Sequence, residues 1–451
     1  MTADLRPSER ELFNVALLTY RGNPRSGGQG VYTRFLSREL ARLGHQVTVF
    51  AGQPWPVLDH DAGVRLVRVP SLDLYREPDP FRVPRVGELR DHVDLLEVAT
   101  MLTGGFPEPR TFSLRVRSLL KGGAPFDILH DNQSFGNGLL GLARDGWPLI
   151  GTCHHPVTVD RLVELGGAGA RRRELSLRRW YGFVHMQNRV ARQLPRILTV
   201  SSSSRRDIAE QMGVAADRIA IVPIGVDHGL FRPRPTVRRV PGRIMTTASA
   251  DVPLKGLVYL LEALAKLRTE HPEAHLVVVG EPRTGSDAAQ ALERLGLDGA
   301  VRFCPGVSDD EMVRLYAEAS AVAVPSLYEG FSLPAVEAMA CEVPVIATTG
   351  GALPEVLGPD GEAAFLVAPA DSAALAAALG RVLAGQELRR RMGKSGRRRV
   401  LERFTWARCA AGTVEQYRRV LAAHEARSTY AADWAPSMFE GRKRARPERR
   451  C

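Results

Sequence analysis

The chain has 451 residues, 44% of them hydrophobic, which is more than one hydrophobic core usually organises and indicates two domains. Five cysteines without a C-x-x-C spacing argue against a disulfide framework or a structural zinc site, and a charged start with no membrane-length apolar run predicts a cytoplasmic protein. The net charge of +11 favours anionic partners such as nucleotide phosphates, nucleic acid or acidic lipid head groups.

A strand, a glycine loop and a helix open the chain. Residues 12–20 are an apolar run, the loop carries Gly27, Gly28 and Gly30, and residues 31–44 have helical periodicity. Glycines let the backbone approach a phosphate or a sugar closely, although a plain tight turn is the alternative. Strands and helices then alternate, which predicts a parallel sheet with crossover helices.

A proline-containing insertion at residues 71–110 interrupts this alternation and carries a predicted helix near residues 86–102. Further along, the apolar strand at residues 148–153 ends in His154 and His155. Adjacent side chains point apart and no other ligand cluster accompanies them, so we set metal binding aside. His154 remains a candidate ligand contact, with a purely structural histidine as the alternative.

Residues 171–196 are rich in arginine, with Trp180, Tyr181 and Phe183 interleaved. A solvated helix face is the favoured interpretation. A helix lying on an anionic membrane surface and a nucleic-acid patch are the alternatives. Because the sequence contains no recognised nucleic-acid module, nucleic acid is not expected as a partner.

A proline- and arginine-rich stretch without apolar periodicity, residues 227–241, predicts a linker. The sequence therefore divides into an N-terminal domain (1–226), this linker, a C-terminal domain (242–405), a helix (406–426) and a basic tail (427–451). The tail has few apolar residues, which predicts disorder.

The stretch at residues 326–344 contains the strongest candidates for chemistry. It follows a short buried strand, whose carboxyl end should open onto a ligand crevice. Glu329 and Gly330 open a turn, and Pro334 suits the first turn of a helix, so Glu337 lies one turn inside that helix.

The backbone amides of Phe331, Ser332 and Leu333 should point out of the amino end of this helix, where they favour a phosphate. Taken singly, each of the two glutamates is more simply a surface carboxylate or one that complements the helix dipole. Together with the amides, they suit a sugar attached to a phosphate.

The E-x7-E spacing, EGFSLPAVE at residues 329–337, resembles the signature of the retaining glycosyltransferases of family 4. The glycine-containing opening and the G-V-D-x3-F sequence at residues 225–231 are similar to the same family. The similarity spans residues 12–426, apart from the insertion. It implies an α/β GT-B fold of two facing Rossmann-like, doubly wound parallel-sheet domains, with the first binding the acceptor and the helix at 406–426 crossing back to it.

The resemblance also implies roles for individual residues. Glu329 would contact the donor sugar, Glu337 the nucleoside ribose, and the backbone between them, including Gly330, the sugar and the diphosphate. The sequence Thr-Cys-His ending at His154 matches a T-x-H that places a histidine in the active-site cleft. Gly28 and Gly30 would approach the donor.

In the second domain, Lys255 resembles the lysine that binds the diphosphate, and a cation there would stabilise the leaving nucleotide. Ser249 stands where the family commonly has an arginine, so donor handling departs from the family pattern at this position. Gly306 and Val307 resemble the stretch that receives the nucleobase through backbone contacts.

The implied reaction transfers a hexose-type sugar from a nucleotide-diphosphate-sugar to a hydroxyl acceptor with retention of configuration, by front-face attack. His154, Lys255 and Glu329 are the expected catalytic residues, with no metal and no cofactor beyond the nucleotide-sugar co-substrate. The acceptor is expected to be a glycolipid, a lipid-linked sugar or a small-molecule glycoside, and the inner face of the membrane is an alternative location. An inactive scaffold of the same fold and an epimerase-like enzyme are the alternative functions.

Overall fold

The structure is a computed structural model and describes residues 12–22, 28–76, 79–123, 126–166, 170–247, 252–281 and 285–440; at residue 163 and from 427 onward only the backbone is described. Three features predicted from the sequence lie outside these ranges: Gly27 with residues 23–26 of its loop, Ser249, and the end of the basic tail at 441–451.

The first sheet has seven strands in the order β3-β2-β1-β4-β5-β6-β7. Its strands are β1 (Asn14–Thr19), β2 (Gln46–Ala51), β3 (Arg65–Arg68), β4 (Ile128–Asn132), β5 (Leu149–Thr152), β6 (Ile197–Thr199) and β7 (Ile219–Ile221). The pairings of β1 with β2 and β4, of β2 with β3, and of β4 with β5 are parallel. This confirms the predicted parallel sheet.

The second sheet has six strands in the order β10-β9-β8-β11-β12-β13. Its strands are β8 (Arg243–Thr247), β9 (His275–Val279), β10 (Val301–Cys304), β11 (Ala321–Val324), β12 (Val345–Thr348) and β13 (Ala364–Val367). All five pairings are parallel. Strand β11 is buried along its whole length, as expected for a parallel strand covered by helices on both faces.

Helices connect the strands of both sheets. Those from the first part of the chain are α1 (Gly28–Arg42), α2 (His92–Leu102), α3 (Glu108–Leu120), α4 (Asn137–Arg144), α5 (Val157–Gly166), α6 (Arg171–Trp180), α7 (Phe183–Ala191) and α8 (Ser202–Met212). Those from the second part are α9 (Leu257–Leu267), α10 (Asp287–Arg294), α11 (Asp309–Glu318), α12 (Leu333–Ala340), α13 (Leu353–Leu357), α14 (Ser372–Ala384), α15 (Gln386–Arg403) and α16 (Trp406–Glu440). Within the described ranges, every helix is too short or too polar to span a bilayer.

The chain forms two compact units. Unit 1 comprises Met1–Thr152, Glu164–Ile197 and Ala411–Cys451, and unit 2 comprises Cys153–Val163 and Leu198–Ala410. The domain boundaries predicted at residues 226 and 242 stay a prediction. Helix α16 continues to Glu440, so the helical segment is longer than the predicted 406–426 and includes the first part of the predicted tail.

Each sheet reverses its strand order at one point, between β1 and β4 in the first sheet and between β8 and β11 in the second. Loops that leave two neighbouring strands in opposite directions open a crevice at such a point, where open α/β sheets bind their ligands. The loops after β8 and β11 are the ones that carry the strongest sequence candidates.

Candidate active site

Lys255 ends a short 3-10 helix, Pro253–Lys255, that lies between β8 and α9. This turn is tied to the loop after β11, because the Leu327 amide donates a 2.8 Å hydrogen bond to the Leu254 carbonyl. Gly256 follows in the left-handed conformation at φ 65°, and a Cβ there would lie 2.1 Å from the Pro325 carbonyl oxygen. The glycine therefore allows the two loops to come together.

The closest polar contact between these loops is an ion pair. The Lys255 Nζ lies 2.8 Å from Glu329 Oε1, and the Ser326 hydroxyl donates a 2.7 Å hydrogen bond to the same oxygen. The Glu329 side chain is 10% exposed and the Lys255 side chain 34%. The carboxylate is thus held from two sides, while the ammonium group remains accessible to a ligand.

A third loop, after β12, supports the backbone of Glu329. The Ala352 amide donates a 2.8 Å hydrogen bond to the Glu329 carbonyl. Gly351 has φ 64°, and a Cβ there would lie 2.3 Å from that same carbonyl oxygen. The loops that follow β8, β11 and β12 therefore meet at the carboxyl edge of the second sheet, on the reversal of strand order.

The amino end of α12 forms the floor of this site. Ser332 is the residue before the helix, with φ 85°, and its side chain does not cap it. Its hydroxyl is buried and has no hydrogen-bond partner among the described residues. Within the described ranges, the amides of Phe331, Ser332 and Leu333 also donate to no protein acceptor. Four donors are thus left for an anionic ligand.

Hydrogen bonds and an aromatic contact hold the turn before α12 in place. The Gly330 carbonyl accepts hydrogen bonds from the hydroxyls of Ser201 at 2.7 Å and Ser204 at 3.3 Å. The Phe331 ring is 5% exposed and packs edge-on against Phe404 at 5.5 Å between ring centroids. Because the Phe331 side chain is buried, only its backbone is available to a ligand.

Glu337 lies one turn inside α12, as predicted, and accepts a 2.9 Å hydrogen bond from the hydroxyl of Tyr316, which is fully buried. Burial, reinforced by the negative charge of Asp309 and opposed by the Tyr316 hydrogen bond, raises the pKa of Glu337 to about 7. Glu337 therefore titrates near neutral pH.

The histidine of the Thr-Cys-His sequence directly follows β5. The His154 imidazole is half-buried, and burial, with a smaller effect of His155, lowers its pKa to about 3. The His154 ring is therefore neutral at physiological pH and can exchange hydrogen bonds with hydroxyl groups. Its carbonyl accepts a 3.0 Å hydrogen bond from Ser204, the residue that also contacts Gly330, so His154 is linked to the turn before α12.

The other predicted site residues follow strands other than β8 and β11. Gly306, exposed at φ 64°, and the half-buried Val307 connect β10 to α11, at the same edge of the second sheet as Lys255. Gly28 and Gly30 are in the first turn of α1 rather than in the loop before it, and they belong to unit 1. The donor contacts expected of these residues stay predictions.

Sequence reasoning missed several residues that complete the site. Ser326 lies three residues before the E-x7-E stretch, so its position in the sequence was a usable signal. The backbone amide of Ser332 was predicted, but its buried hydroxyl was not. Tyr316, Ser201 and Ser204 gave no such signal, because they come from other elements. In the described part of the chain, no three His, Cys, Asp or Glu side chains are grouped closely enough to hold a metal ion, and metal independence stays a prediction.

The second of the two parallel sheets has a lysine–glutamate pair and a helix amino end at its reversal point. This is the class of α/β architecture in which anionic ligands bind at the carboxyl ends of the strands. Residues 26–230 match the family described as Glycosyltransferase Family 4, and residues 234–399 match Glycosyl transferases group 1. The chain belongs to this glycosyltransferase family and is a hexosyltransferase, as the sequence resemblance predicted.

Two curated relatives illustrate the similarity. The MMP alpha-(1->4)-mannosyltransferase of Mycolicibacterium hassiacum is 53% identical over 410 residues, which cover 90% of this chain and 98% of the relative. The D-inositol 3-phosphate glycosyltransferase of Mycolicibacterium gilvum is 30% identical over 432 residues, covering 91% of this chain and 89% of the relative.

Solved structures confirm the predicted GT-B fold. Sucrose-phosphate synthase from Thermosynechococcus elongatus superposes with a TM-score of 0.69 and 25% identity, over 91% of this chain and 100% of that structure. HepE from Anabaena, solved with UDP and glucose, gives a TM-score of 0.64 at 18% identity, over 90% of this chain and 99% of that structure. The second likeness concerns the fold alone.

Proposed function

We propose that this enzyme transfers an α-mannosyl group from a nucleoside diphosphate sugar to a hydroxyl of a glycoside acceptor, with retention of configuration. The observation that carries the proposal is the Lys255 ammonium, 2.8 Å from Glu329 and 34% exposed, at the reversal point of the second sheet. The 53% identical relative, named an alpha-(1->4)-mannosyltransferase, supports mannose and a (1→4) linkage.

In this proposal the donor diphosphate binds Lys255 and the amides of residues 331–333, and the sugar hydroxyls bind Glu329. The bond between the sugar C1 and the phosphate oxygen breaks, and a new bond forms on the same face between C1 and the acceptor oxygen. The acceptor proton passes to the leaving phosphate oxygen. Positive charge and amide dipoles beside that oxygen stabilise the negative charge that develops on it.

A donor screen tests this proposal directly. A ligand that binds only the folded state raises the melting temperature, so UDP, GDP, ADP and their mannose and glucose conjugates are compared at millimolar concentration. We expect one nucleoside diphosphate to stabilise the protein, and Glu329→Gln to lower turnover more than nucleotide affinity, because Glu329 contacts the sugar. If no nucleotide shifts the melting temperature, the proposal is wrong.

Metal independence is tested in the same assay. We expect a chelator to leave turnover unchanged, because Lys255 and the helix amides supply the charge that a metal ion would otherwise provide. Activity that is lost with chelator and restored by a divalent cation would contradict this expectation.

The pKa of Glu337 predicts a pH dependence for nucleotide binding. Above pH 7 the carboxylate accepts charge-assisted hydrogen bonds from the ribose hydroxyls, which are stronger than the hydrogen bonds of the protonated acid. We therefore expect nucleoside diphosphate affinity, measured by calorimetry, to rise between about pH 6 and about pH 8 more steeply in the wild type than in Glu337→Gln. Equal pH profiles would remove Glu337 from the nucleotide site.

The same shift affects folding. Because the folded pKa of about 7 is above the usual 4.5, the folded protein binds this proton more tightly than the unfolded chain. The resulting stabilisation is complete below pH 4.5 and is lost as the pH rises through 7. Glu337→Gln, compared by urea unfolding across this range, should lose that part of the pH dependence.

Membrane association through residues 171–196 is also a proposal. The arginines at 171, 172, 173, 178 and 179 are exposed on α6. The interleaved aromatic residues are less exposed than these arginines: Tyr181 is 6% exposed, and the half-buried Trp180 ring packs 5.1 Å from that of Phe106. Any attraction to lipid is therefore expected to be electrostatic.

We expect binding to anionic liposomes that falls steeply with added salt, because ions screen surface charges. Replacing Arg172 and Arg173 with glutamine should weaken binding by about 1 kcal/mol per charge. Replacing the exposed Arg390 and Arg391 of α15 is the matched control. Absent or salt-insensitive binding would return α6 to the solvated-face interpretation.

A further inference from the structure

Five aromatic rings form one contiguous cluster in unit 1, which we call the aromatic cluster: Tyr75, Phe81, Phe106, Trp180 and Phe183. Tyr75 and Phe81 come from the insertion, which also supplies Phe106, and the other two from α6 and α7. The Phe106 ring lies 5.3 Å from Tyr75, 5.1 Å from Trp180 and 5.3 Å from Phe183. Phe81 is 57% exposed and the other four are half-buried, so apolar ring surface is accessible to a ligand.

An arginine–carboxylate pair borders the aromatic cluster. Arg21 follows β1 and donates to Glu108 through both Nε and Nη2, the latter at 2.9 Å from Oε1. Its guanidinium group lies over the rings of Tyr75 at 5.8 Å and Phe106 at 5.4 Å. The charge of Arg21 is therefore balanced by Glu108, which is itself 8% exposed.

A small cleft beside this pair is lined by Tyr20, Gln53, Ser71, Glu108 and Arg115, among others. It lies where β1, β2 and β3 end. Arg115 is the one arginine or lysine among the described residues that line it, and it is bound by two buried carboxylates, Asp94 and Glu97. The cleft has a volume of only about 10 Å³, which is room for about one water molecule, so a sugar ring does not enter it. No cation among the described lining residues lacks a carboxylate partner.

We infer that the aromatic cluster and the Arg21–Glu108 pair bind the acceptor, and that this acceptor is an uncharged saccharide recognised through the apolar face of its ring. This inference rests on the proposed function and names the acceptor class. A pyranose has C–H faces that pack on aromatic rings and hydroxyl edges that suit carboxylate, guanidinium and amide groups. This combination matches the chemistry of the aromatic cluster and of the Arg21–Glu108 pair, whose arginine side chain is 35% exposed.

A phosphorylated acceptor does not suit this site. Burying a phosphate requires a cation that is free to pair with it. Both guanidinium groups are already paired with carboxylates, and Glu108 would repel the added negative charge. The site therefore discriminates against an acceptor such as the one named for the D-inositol 3-phosphate relatives.

The first test changes the ring of Trp180. With the donor identified by the nucleotide screen, initial rates are measured for methyl α-mannoside and for mannose 6-phosphate. We expect Trp180→Leu to raise the acceptor KM about tenfold, Trp180→Phe to recover most of the loss, and nucleoside diphosphate affinity to stay unchanged in both. The control is Trp147→Leu. Trp147 is a half-buried tryptophan just before β5, at the amino end of that strand, and its replacement should not change the acceptor KM.

The second test removes the negative charge that pairs with Arg21. Glu108→Gln should shift the ratio of kcat/KM for mannose 6-phosphate over methyl α-mannoside by about tenfold in favour of the phosphate, because the guanidinium group loses its carboxylate. Melting curves show whether the variant folds, and the Trp180 variants test the inference if it does not.

With nucleotide binding intact, any one of three results would overturn the inference. The first is an unchanged acceptor KM in Trp180→Leu, and the second is a wild-type preference for mannose 6-phosphate. The third is that the wild type neither uses nor binds methyl α-mannoside at tens of millimolar. Failure of the wild-type protein to bind any nucleotide would instead count against the proposed function. The two failures are therefore distinguishable.

Discussion

Replacing Lys255 with alanine should lower kcat/KM for the sugar donor about a hundredfold or more while the fold is kept. The ammonium group is the cation that we place against the leaving phosphate, and charge developing there in the transition state would lose its partner. Lys255→Arg keeps the charge but changes its geometry, so it should retain part of the activity.

The control for Lys255 is Lys266→Ala, on α9 of the same unit. Lys266 is exposed and its ammonium group contacts the Ser372 hydroxyl at 3.0 Å, away from the candidate site. Steady-state kinetics and melting curves of both variants should separate loss of charge from loss of fold. Wild-type kinetics in a fully folded Lys255→Ala would refute the assignment of this lysine.

Gly256→Ala should be the most damaging change of a single methyl group near the site. At φ 65° an alanine is strained, and its Cβ would lie 2.1 Å from the Pro325 carbonyl oxygen. We expect a loss of about 3 kcal/mol or more in the free energy of unfolding. Turnover should also fall, because relief of the clash moves the Lys255 turn away from Glu329.

A matched control separates backbone strain from the clash. Gly296 has nearly the same conformation, φ 64°, but no atom lies within 4 Å of the position that a Cβ would occupy. Gly296→Ala should therefore cost only about 1 kcal/mol and leave kcat/KM unchanged. Equal losses of unfolding free energy in the two variants would show that the approach of Gly256 to Pro325 is not tight.

The insertion is an example of partial prediction. The sequence placed a helix near residues 86–102, and the structure has a short 3-10 helix at Val86–Glu88 followed by α2. The aromatic residues at 180–183 gave a membrane hypothesis. That hypothesis stays a prediction, and the structure adds that Trp180 and Phe183 belong to the aromatic cluster through contacts with Tyr75 and Phe106. Sequence spacing could not show this, because these rings are about 75 residues or more from Phe106 and Tyr75.

The sequence by itself determined the features that depend on neighbouring residues. The alternation of apolar strands and helices predicted parallel sheets, and the position of Pro334 predicted that Glu337 lies one turn inside a helix, since helix geometry is local. The spacing between functional groups in one stretch, such as E-x7-E, is of the same kind, because it needs only a turn and a helix start.

Only the tertiary structure decided which distant groups meet. Lys255 and Glu329 are 74 residues apart, and Arg21 and Glu108 are 87 apart. The sequence proposed a role for Lys255 and for Glu329 separately, but not their ion pair, and it gave no role to Arg21 or Glu108. Lys255 and Glu329 meet because the strand order places the carboxyl ends of β8 and β11 side by side. Arg21 and Glu108 meet because the start of α3 lies against the loop after β1.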